Sequence, residues 1–253
     1  MLTSLNTNKA PLNFKNIVKD VIKTEANELL SFNIDKESID KAIDLIYNIK
    51  GKLIIMGVGK SGLVGSKISA TLASTGTSSF FIHPTEAMHG DLGMIDKNDI
   101  VLAVSYSGES EELIKTLPHL KRLKIPIISM VKTVDSTLGS YSDISLLIKI
   151  DREACPLNIA PTTSTTLTMA LGDAIAVCLM YKRGFKKEDF ASFHPGGSLG
   201  KKLFVKVSDL MRVDNLPIID SNSSLKDAIF IMSSGRLGNV VIIENGKVKA
   251  LLS

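Results

Sequence analysis

The sequence predicts an α/β protein built on a doubly wound, five-stranded parallel sheet. Five short apolar runs predict its strands, and helix-like segments separate most of them. The runs do not alternate polar with apolar residues, which is typical of strands covered on both faces, and their alternation with helices is typical of parallel βαβ units. They lie at residues 52–57, 79–82, 100–105, 126–130 and 144–150.

Helices are also predicted in the sequence before the first of these strands and after the last. Apolar residues recur at helical spacing in residues 1–50, which predicts two amphipathic helices that belong to the same assembly as the sheet domain at 51–196. A long helix is predicted at about 164–181. Asp173 is its only charge before Lys182, so we expect the helix to be buried.

The last part of the chain differs in character and predicts a small, incomplete module. A linker is expected at 197–206, and the module at 207–253 is too short to form an independent core easily. The predicted elements are a strand at 207–211, a helix near 224–234 and a hairpin whose turn is Asn245-Gly246. The sequence stops in mid-strand, so this segment is interpreted as half of a larger module.

Composition excludes several classes of protein. The 253 residues carry a net charge of +4, from 30 basic and 26 acidic residues, which is too mild and too scattered to predict a nucleic-acid surface. The longest apolar stretch, 167–180, is shorter than the ~18 to 20 residues of a membrane span. The N-terminus lacks a signal-peptide layout, so we expect a cytoplasmic protein. Cys155 and Cys178 are too few for a disulfide scaffold.

A glycine-rich turn follows the first predicted strand. Residues 57–62 read Gly-Val-Gly-Lys-Ser-Gly, which matches a dinucleotide fingerprint in form, but no acidic residue follows at the end of the second strand to hold a ribose. The turn still predicts a close backbone approach and a helix N-terminus that can bind an anion, and Lys60 adds positive charge there. The alternative is a tight strand-to-helix turn with a solvated lysine.

Hydroxyl groups follow the third predicted strand. Ser105, Ser107 and Ser110 surround Gly108 immediately before a predicted helix start, which suits a phosphate. Serines are also common helix caps, so one such turn alone favours a structural role. Two anion-binding turns at neighbouring strand ends favour a phosphate site.

Further polar residues lie in predicted loops. His83, His89 and His194 stand beside Gly or Pro, and Glu153 follows the fifth strand. Each histidine is equally consistent with a plain surface position. The run Thr162 to Thr166 is interpreted as a cap of the long helix.

Five motifs together resemble the sugar isomerase (SIS) domain, and more closely the D-arabinose-5-phosphate isomerases of the KpsF/GutQ/KdsD type. They are GVGKSG at 57–62, HPTEAMHGDLGM at 83–94, SYSGESEE at 105–112, DREACPLNIAPTTSTT at 151–166 and FHPGGSLGKK at 193–202. Residues 207–253 resemble the start of a cystathionine-β-synthase-type (CBS) module. The resemblance implies the interconversion of D-ribulose 5-phosphate and D-arabinose 5-phosphate, which feeds Kdo synthesis for lipopolysaccharide or capsule.

The resemblance also implies a set of site residues. The catalytic residues that it implies are Lys60, Glu112, Glu153 and His194. The substrate region that it implies comprises Gly76, Thr77, His83 and His89. The implied phosphate contacts are Ser61, Ser105, Ser107 and Ser110. His83 also matches a position associated with zinc in the family. One histidine is no zinc site, so any metal there is interpreted as adventitious or inhibitory, and no cofactor is required.

Aldose–ketose isomerisation moves a proton between C1 and C2 through an enediol, which suggests roles for these groups. Glu153 is the candidate base, with its pKa raised by burial toward the working pH. Lys60 and His194 would stabilise or protonate the oxyanion, and Glu112 would orient Lys60 or a hydroxyl. Glu153 and His194 could exchange roles.

The chain has few loops long enough to close over a sugar. We therefore expect a homo-oligomer, dimer or tetramer, in which another subunit completes the site through the N-terminal helices and the HPGG loop. Two alternatives remain. One is a non-catalytic sugar-phosphate sensor; the other is a different SIS enzyme, acting on a hexulose phosphate or an amidosugar.

Overall fold

The structure is a computed structural model that describes residues 12–253. It divides into two compact units, with the division between Pro195 and Gly196. The first eleven residues of the predicted N-terminal region, including the segment examined for a signal peptide, lie outside the described residues.

Five short strands form the parallel sheet of the first unit. They are β1 (Leu53–Gly57), β2 (Ser79–Ile82), β3 (Ile100–Val104), β4 (Ile127–Val131) and β5 (Ile144–Leu147). Their order across the sheet is β2-β1-β3-β4-β5, and all pairs are parallel. Every residue of β1, β3 and β4 is buried, as expected for central strands covered on both faces. The predicted five-stranded, doubly wound sheet is confirmed.

Helices cover the two faces of this sheet and create two separate apolar cores. They are α1 (Phe14–Ser31), α2 (Lys36–Tyr47), α3 (Gly59–Ser74), α4 (Pro84–Met88), α5 (Glu111–Arg122), α6 (Thr137–Tyr141), α7 (Thr163–Arg183) and α8 (Lys187–Phe193), with a 3₁₀ turn at Asp91–Met94. One core holds side chains of α2, α3 and α7; the other holds side chains of α4, α5 and α6. The two predicted N-terminal helices correspond to α1 and α2.

Helix α7 is the long helix that the sequence predicts to be buried. Its inward side chains, among them Leu167, Leu171 and Ile175, belong to the first core. Its acidic residue Asp173 forms an ion pair with Lys67 of α3. By length and composition alone α7 could cross a membrane, but half of its most apolar stretch is buried inside the unit. These contacts are those of a core helix.

The second unit contains a small sheet of its own. Its elements are α9 (Ser198–Phe204), α10 (Val207–Leu210), β6 (Ile218–Asp220), α11 (Leu225–Gly235), β7 (Val240–Glu244) and β8 (Lys247–Leu252), with sheet order β6-β7-β8. The predicted hairpin is confirmed: β7 and β8 are antiparallel, and Asn245 and Gly246 both have positive φ, as a type I′ turn requires. Among the side chains that the structure describes in this unit, only a few, such as Ile219 and Val240, are buried.

One predicted strand is wrong. Residues 207–211 are not extended, because Val207–Leu210 forms a helical turn. The Asp209 carboxylate accepts a hydrogen bond from the Lys206 amide (2.9 Å), so the two ends of the turn are joined by a local cap. The segment 197–206, predicted as a linker, contains α9.

Candidate active site

The sheet has a crevice at its carboxyl edge between β1 and β3. Gly57 and Val104, the last residues of these strands, are register partners. The chain leaves β1 through α3 toward β2 on one side, and leaves β3 through α5 toward β4 on the other. In doubly wound sheets the ligand binds where the connections diverge in this way.

The turn after β1 brings the N-terminus of α3 against the strand end. A Cβ atom on Gly62 would lie 2.7 Å from the Gly57 carbonyl oxygen, and Gly59 has φ +57°, so glycine is required by packing and by backbone conformation. No described residue caps α3 with a side chain. Lys60, exposed in the first helical turn, opposes the helix dipole, and local stability does not explain a cation there. Ser61 follows it in the same turn.

The turn after β3 is held by hydrogen bonds among its serines. Ser105 is 2% exposed, and its hydroxyl lies 2.9 Å from that of Ser110 and accepts from the Gly108 amide (3.2 Å). The Ser107 hydroxyl accepts a hydrogen bond from the Glu109 amide (3.2 Å). Gly108 has φ +72°, and a Cβ there would lie 2.2 Å from the Ser136 hydroxyl. This turn is therefore rigid before any ligand arrives.

Helix α5 begins directly after this turn and also offers free backbone amides. Ser110 occupies its N-cap position, but no side chain of residues 12–253 caps it. Glu112 is exposed in the first turn, where a carboxylate suits the helix dipole. The structure thus gives Glu112 a position near the crevice without a contact that defines its role.

Glu153 lies at the same sheet edge, at the N-terminus of α7. Its Oε2 accepts from the Thr162 amide (2.8 Å), the Thr162 hydroxyl (3.0 Å) and the Ser164 amide (3.2 Å). The Ser164 hydroxyl donates to Oε1. Glu153 therefore caps α7, and Thr162 and Ser164 are site residues that sequence reasoning assigned only to helix capping.

The expectation of a raised pKa at Glu153 is wrong. Burial alone raises the pKa of this carboxyl, which is 9% exposed, but the hydrogen bonds from Ser164 and Thr162 outweigh burial and lower the pKa below its usual value. The carboxylate also lies near the serine turn. Burial raises the pKa of Tyr106, the Ile150 amide opposes that rise, and the nearby charge of Glu153 adds to it.

Three predicted residues lie at the opposite, amino edge of the sheet. Gly76 and Thr77 precede β2, and the Thr77 hydroxyl, in a residue 1% exposed, accepts a hydrogen bond from Arg183 Nη1 (2.5 Å) at the end of α7. The Phe193 ring lies 4.0 Å from the Cβ position of Gly76. His194 follows Phe193 directly, so it belongs to this edge as well.

The tautomer of His194 follows from its partner. Its Nδ1 lies 2.9 Å from the Phe190 carbonyl oxygen, which can only accept, so Nδ1 carries a proton. In the neutral ring Nε2 is then the acceptor, and none of the described residues forms a hydrogen bond with it. The imidazole also stacks on the Phe190 ring at a centroid distance of 4.0 Å. The hydrogen bond and the stacking together fix the orientation of the imidazole ring.

The two other histidines of the predicted site flank α4, the short helix that follows the outer strand β2. His83 follows β2, and its Nδ1 accepts from the Thr85 amide (3.2 Å) as the cap of α4; His89 is exposed at the other end. Within the described part of the chain no three His, Cys, Asp or Glu residues are grouped as metal ligands. The residues around His83 do not fit a zinc site.

The predicted site residues thus fall into two groups. The carboxyl edge holds Lys60, Ser61, His83, His89, Ser105, Ser107, Ser110, Glu112 and Glu153. The amino edge holds Gly76, Thr77 and His194. Five strand residues at ~3.3 Å each separate the two edges by about 15 Å, so one chain does not bring the groups together.

The fold and this crevice define the class of α/β domains that bind phosphorylated sugars. A SIS-domain family model matches residues 45–178. The chain is 46% identical to the arabinose 5-phosphate isomerase KdsD of Yersinia pestis, across 96% of this chain and 75% of that protein. It is 49% identical to the KdsD of Pseudomonas aeruginosa, across 84% and 66%. A solved structure, E. coli CFT073 c3406 in complex with arabinose 5-phosphate, matches with a TM-score of 0.70 and 37% identity, over 73% of this chain and all of that one.

The chain belongs to the SIS-domain family of KdsD-type arabinose 5-phosphate isomerases. It spans about three quarters of the length of the Yersinia pestis protein.

Proposed function

We propose that this protein interconverts D-arabinose 5-phosphate and D-ribulose 5-phosphate in the cytoplasm and supplies Kdo synthesis. The observation that carries the proposal is the pair of helix N-termini, α3 and α5, that no described side chain caps, beside a pre-formed serine turn. The names of the relatives support the substrate, because KdsD proteins are arabinose 5-phosphate isomerases and c3406 was solved in complex with arabinose 5-phosphate.

The phosphate is assigned to the crevice between α3 and α5. Three long helices begin at the carboxyl edge, and α7 already has its amides occupied by Glu153. The other two receive no side-chain cap from the described residues and flank the serine turn. Free amides and hydroxyls together provide the hydrogen-bond donors that a dianion needs.

The proton transfer is assigned to His194, and Glu153 supplies a fixed negative charge. A carboxylate with four hydrogen bonds and a lowered pKa is a weak base, whereas Nε2 of His194 has no hydrogen-bond partner within residues 12–253 as described. The imidazole takes the C2 proton of the open-chain aldose and returns it to C1, while the hydroxyl proton moves from O2 to O1. Glu153 stabilises the imidazolium, and Lys60 stabilises the enediolate oxygen.

On this assignment, a second copy of the chain supplies His194 to the site that contains Glu153. Helix α7, about 30 Å long, connects the two ends of the unit at which these groups lie. We infer that His194, with Gly76 and Thr77 beside it, enters the crevice of a neighbouring subunit. The exposed apolar residues of α1, such as Phe14, Val18 and Ile22, are available to the interface.

Subunit complementation tests this assignment. Glu153→Gln and His194→Ala are each expected to be inactive, and hybrids made by mixing and refolding the two should regain a fraction of wild-type turnover of arabinose 5-phosphate. Each hybrid can contain one site with both residues intact. Absence of recovery in hybrids verified by native mass spectrometry would exclude a shared site. Fructose 6-phosphate is the control substrate: its turnover would instead indicate a different SIS isomerase, and a sensor would convert neither sugar.

A further inference from the structure

Helix α1 contacts the segment that carries Glu153 through two carboxylates. Both oxygens of Glu28 accept from the Asp151 amide, at 3.3 and 3.2 Å. Glu25 Oε2 accepts from the Thr166 hydroxyl at 3.0 Å. None of the 18 residues of α1 is buried, so these contacts are made by a helix that contributes little to the core.

The two contacts lie on either side of the Glu153 cap. Asp151 precedes Glu153 by two residues, and Thr166 follows Ser164 by two. Within the segment 151–166, Glu153 is bonded to the start of α7. Glu28 contacts the first residue of this segment and Glu25 contacts the last. The segment 151–166 is therefore fixed at three places, two of them on α1.

Local stability does not explain carboxylates at these positions. Neither Glu25 nor Glu28 has an ion-pair partner among the residues that the structure describes. Glu28 instead approaches the backbone of Asp151, and its charge and that of Glu153 both act on Tyr106. A role for Glu25 and Glu28 in orienting the segment 151–166 accounts for their positions.

We propose that Glu25 and Glu28 are positioning residues, which act on the reaction by orienting Glu153 from helix α1. The proposal rests on the proposed function only in giving Glu153 a part in catalysis. A displacement of about 1 Å in a catalytic group can reduce turnover by up to 100-fold. Loss of both contacts is therefore expected to lower kcat about tenfold or more and to leave KM within about twofold, because the phosphate turn is separate.

The test compares Glu28→Ala, Glu28→Gln and the double variant Glu25→Ala/Glu28→Ala in the full chain. The Gln amide oxygen still accepts from the Asp151 amide, so Glu28→Gln should return kcat to near the wild-type value. Glu37→Ala is the matched control, because Glu37 pairs, among the described residues, with Lys41 alone on the exposed surface of α2. Hydrogen exchange of residues 151–166 is measured beside the kinetics.

Faster exchange in residues 151–166 with a selective loss of kcat, rescue by Glu28→Gln and no effect of the control would support the proposal. Wild-type kcat in the double variant would overturn it, as would an equal loss in Glu28→Gln and Glu28→Ala. If the double variant does not fold, the kcat, KM and hydrogen exchange of Glu28→Ala are compared with wild type in its place. Inactive wild-type protein would refute the proposed function, whereas unchanged exchange in the variants would refute the positioning role.

Discussion

Removal of the Ser164 hydroxyl tests the most heavily bonded group of the site. Ser164→Ala deletes the hydrogen bond to Glu153 Oε1 and leaves the three bonds to Oε2 in place. A hydrogen bond to a buried charged group contributes about 1.5–3 kcal/mol. We expect the free energy of unfolding at pH 7 to fall by about that amount.

The loss should depend on pH with a defined sign. The folded-state pKa of Glu153 is lower than its unfolded value, so its contribution is present above the unfolded pKa and is lost as the pH falls through the folded pKa. Ser164→Ala raises the folded pKa toward the unfolded value. The difference in stability between wild type and variant should therefore shrink as the pH falls below about 4.5.

Urea unfolding followed by circular dichroism, at one protein concentration and several pH values, measures this difference. Ser129→Ala is the matched control: Ser129 is fully buried, and its hydroxyl lies 3.0 Å from that of Ser145, so it loses a neutral bond. Its loss should be about 1 kcal/mol at every pH tested. A pH-independent loss in Ser164→Ala would refute the reasoning about Glu153.

Three further changes test the crevice and its surroundings. Gly108→Ala places a Cβ against Ser136 at positive φ, a strain of about 1–3 kcal/mol, so KM for arabinose 5-phosphate should rise about tenfold in steady-state assays. Lys60→Ala removes the cation beside the enediolate oxygen, so kcat should fall about 100-fold while calorimetry still detects substrate binding. Asp173→Asn breaks a half-exposed ion pair with Lys67, so thermal unfolding should report a loss of no more than about 1 kcal/mol.

Each of these has a clear opposing result. Gly93→Ala is the control for the glycine, since no described atom beyond its chain neighbours and its own helical turn lies within 4 Å of its Cβ position. Equal KM values for the two variants would remove the steric argument. Loss of binding together with turnover in Lys60→Ala would make Lys60 a phosphate ligand. A loss of several kcal/mol in Asp173→Asn would mean that the pair is far less solvated than its exposure indicates.

The sheet could be predicted from the sequence because its signals are local. Continuous apolar runs identified all five strands, and the glycine and serine turns at 57–62 and 105–110 fell at their carboxyl ends. The wrong strand at 207–211 arose because a four-residue capped turn leaves too short a pattern to distinguish the two periodicities.

The contacts of the site depend on chain folding that no local pattern reports. Thr162 and Ser164 return to Glu153 across nine and eleven residues, and Glu28 reaches Asp151 across 123. The hydrogen bonds from Thr162 and Ser164 decide the direction of the Glu153 pKa shift. The sequence could anticipate only the burial of this carboxyl, which acts in the opposite direction. The position of His194 at the far edge likewise requires the full path of α7 and α8.

The carboxylate that caps α7 also gives the crevice a direction. A sugar phosphate carries its charge at one terminus only, and an internal anion fixed at the start of α7 repels that terminus while the amides of α3 and α5 attract it. In the proposed site, a bound pentose phosphate would therefore lie in one sense only, with C1 and C2 at the Glu153 end. Reversed binding would place the phosphate beside Glu153, at the position where the proton is transferred. Charge repulsion alone disfavours that orientation, without any contact to the sugar hydroxyls.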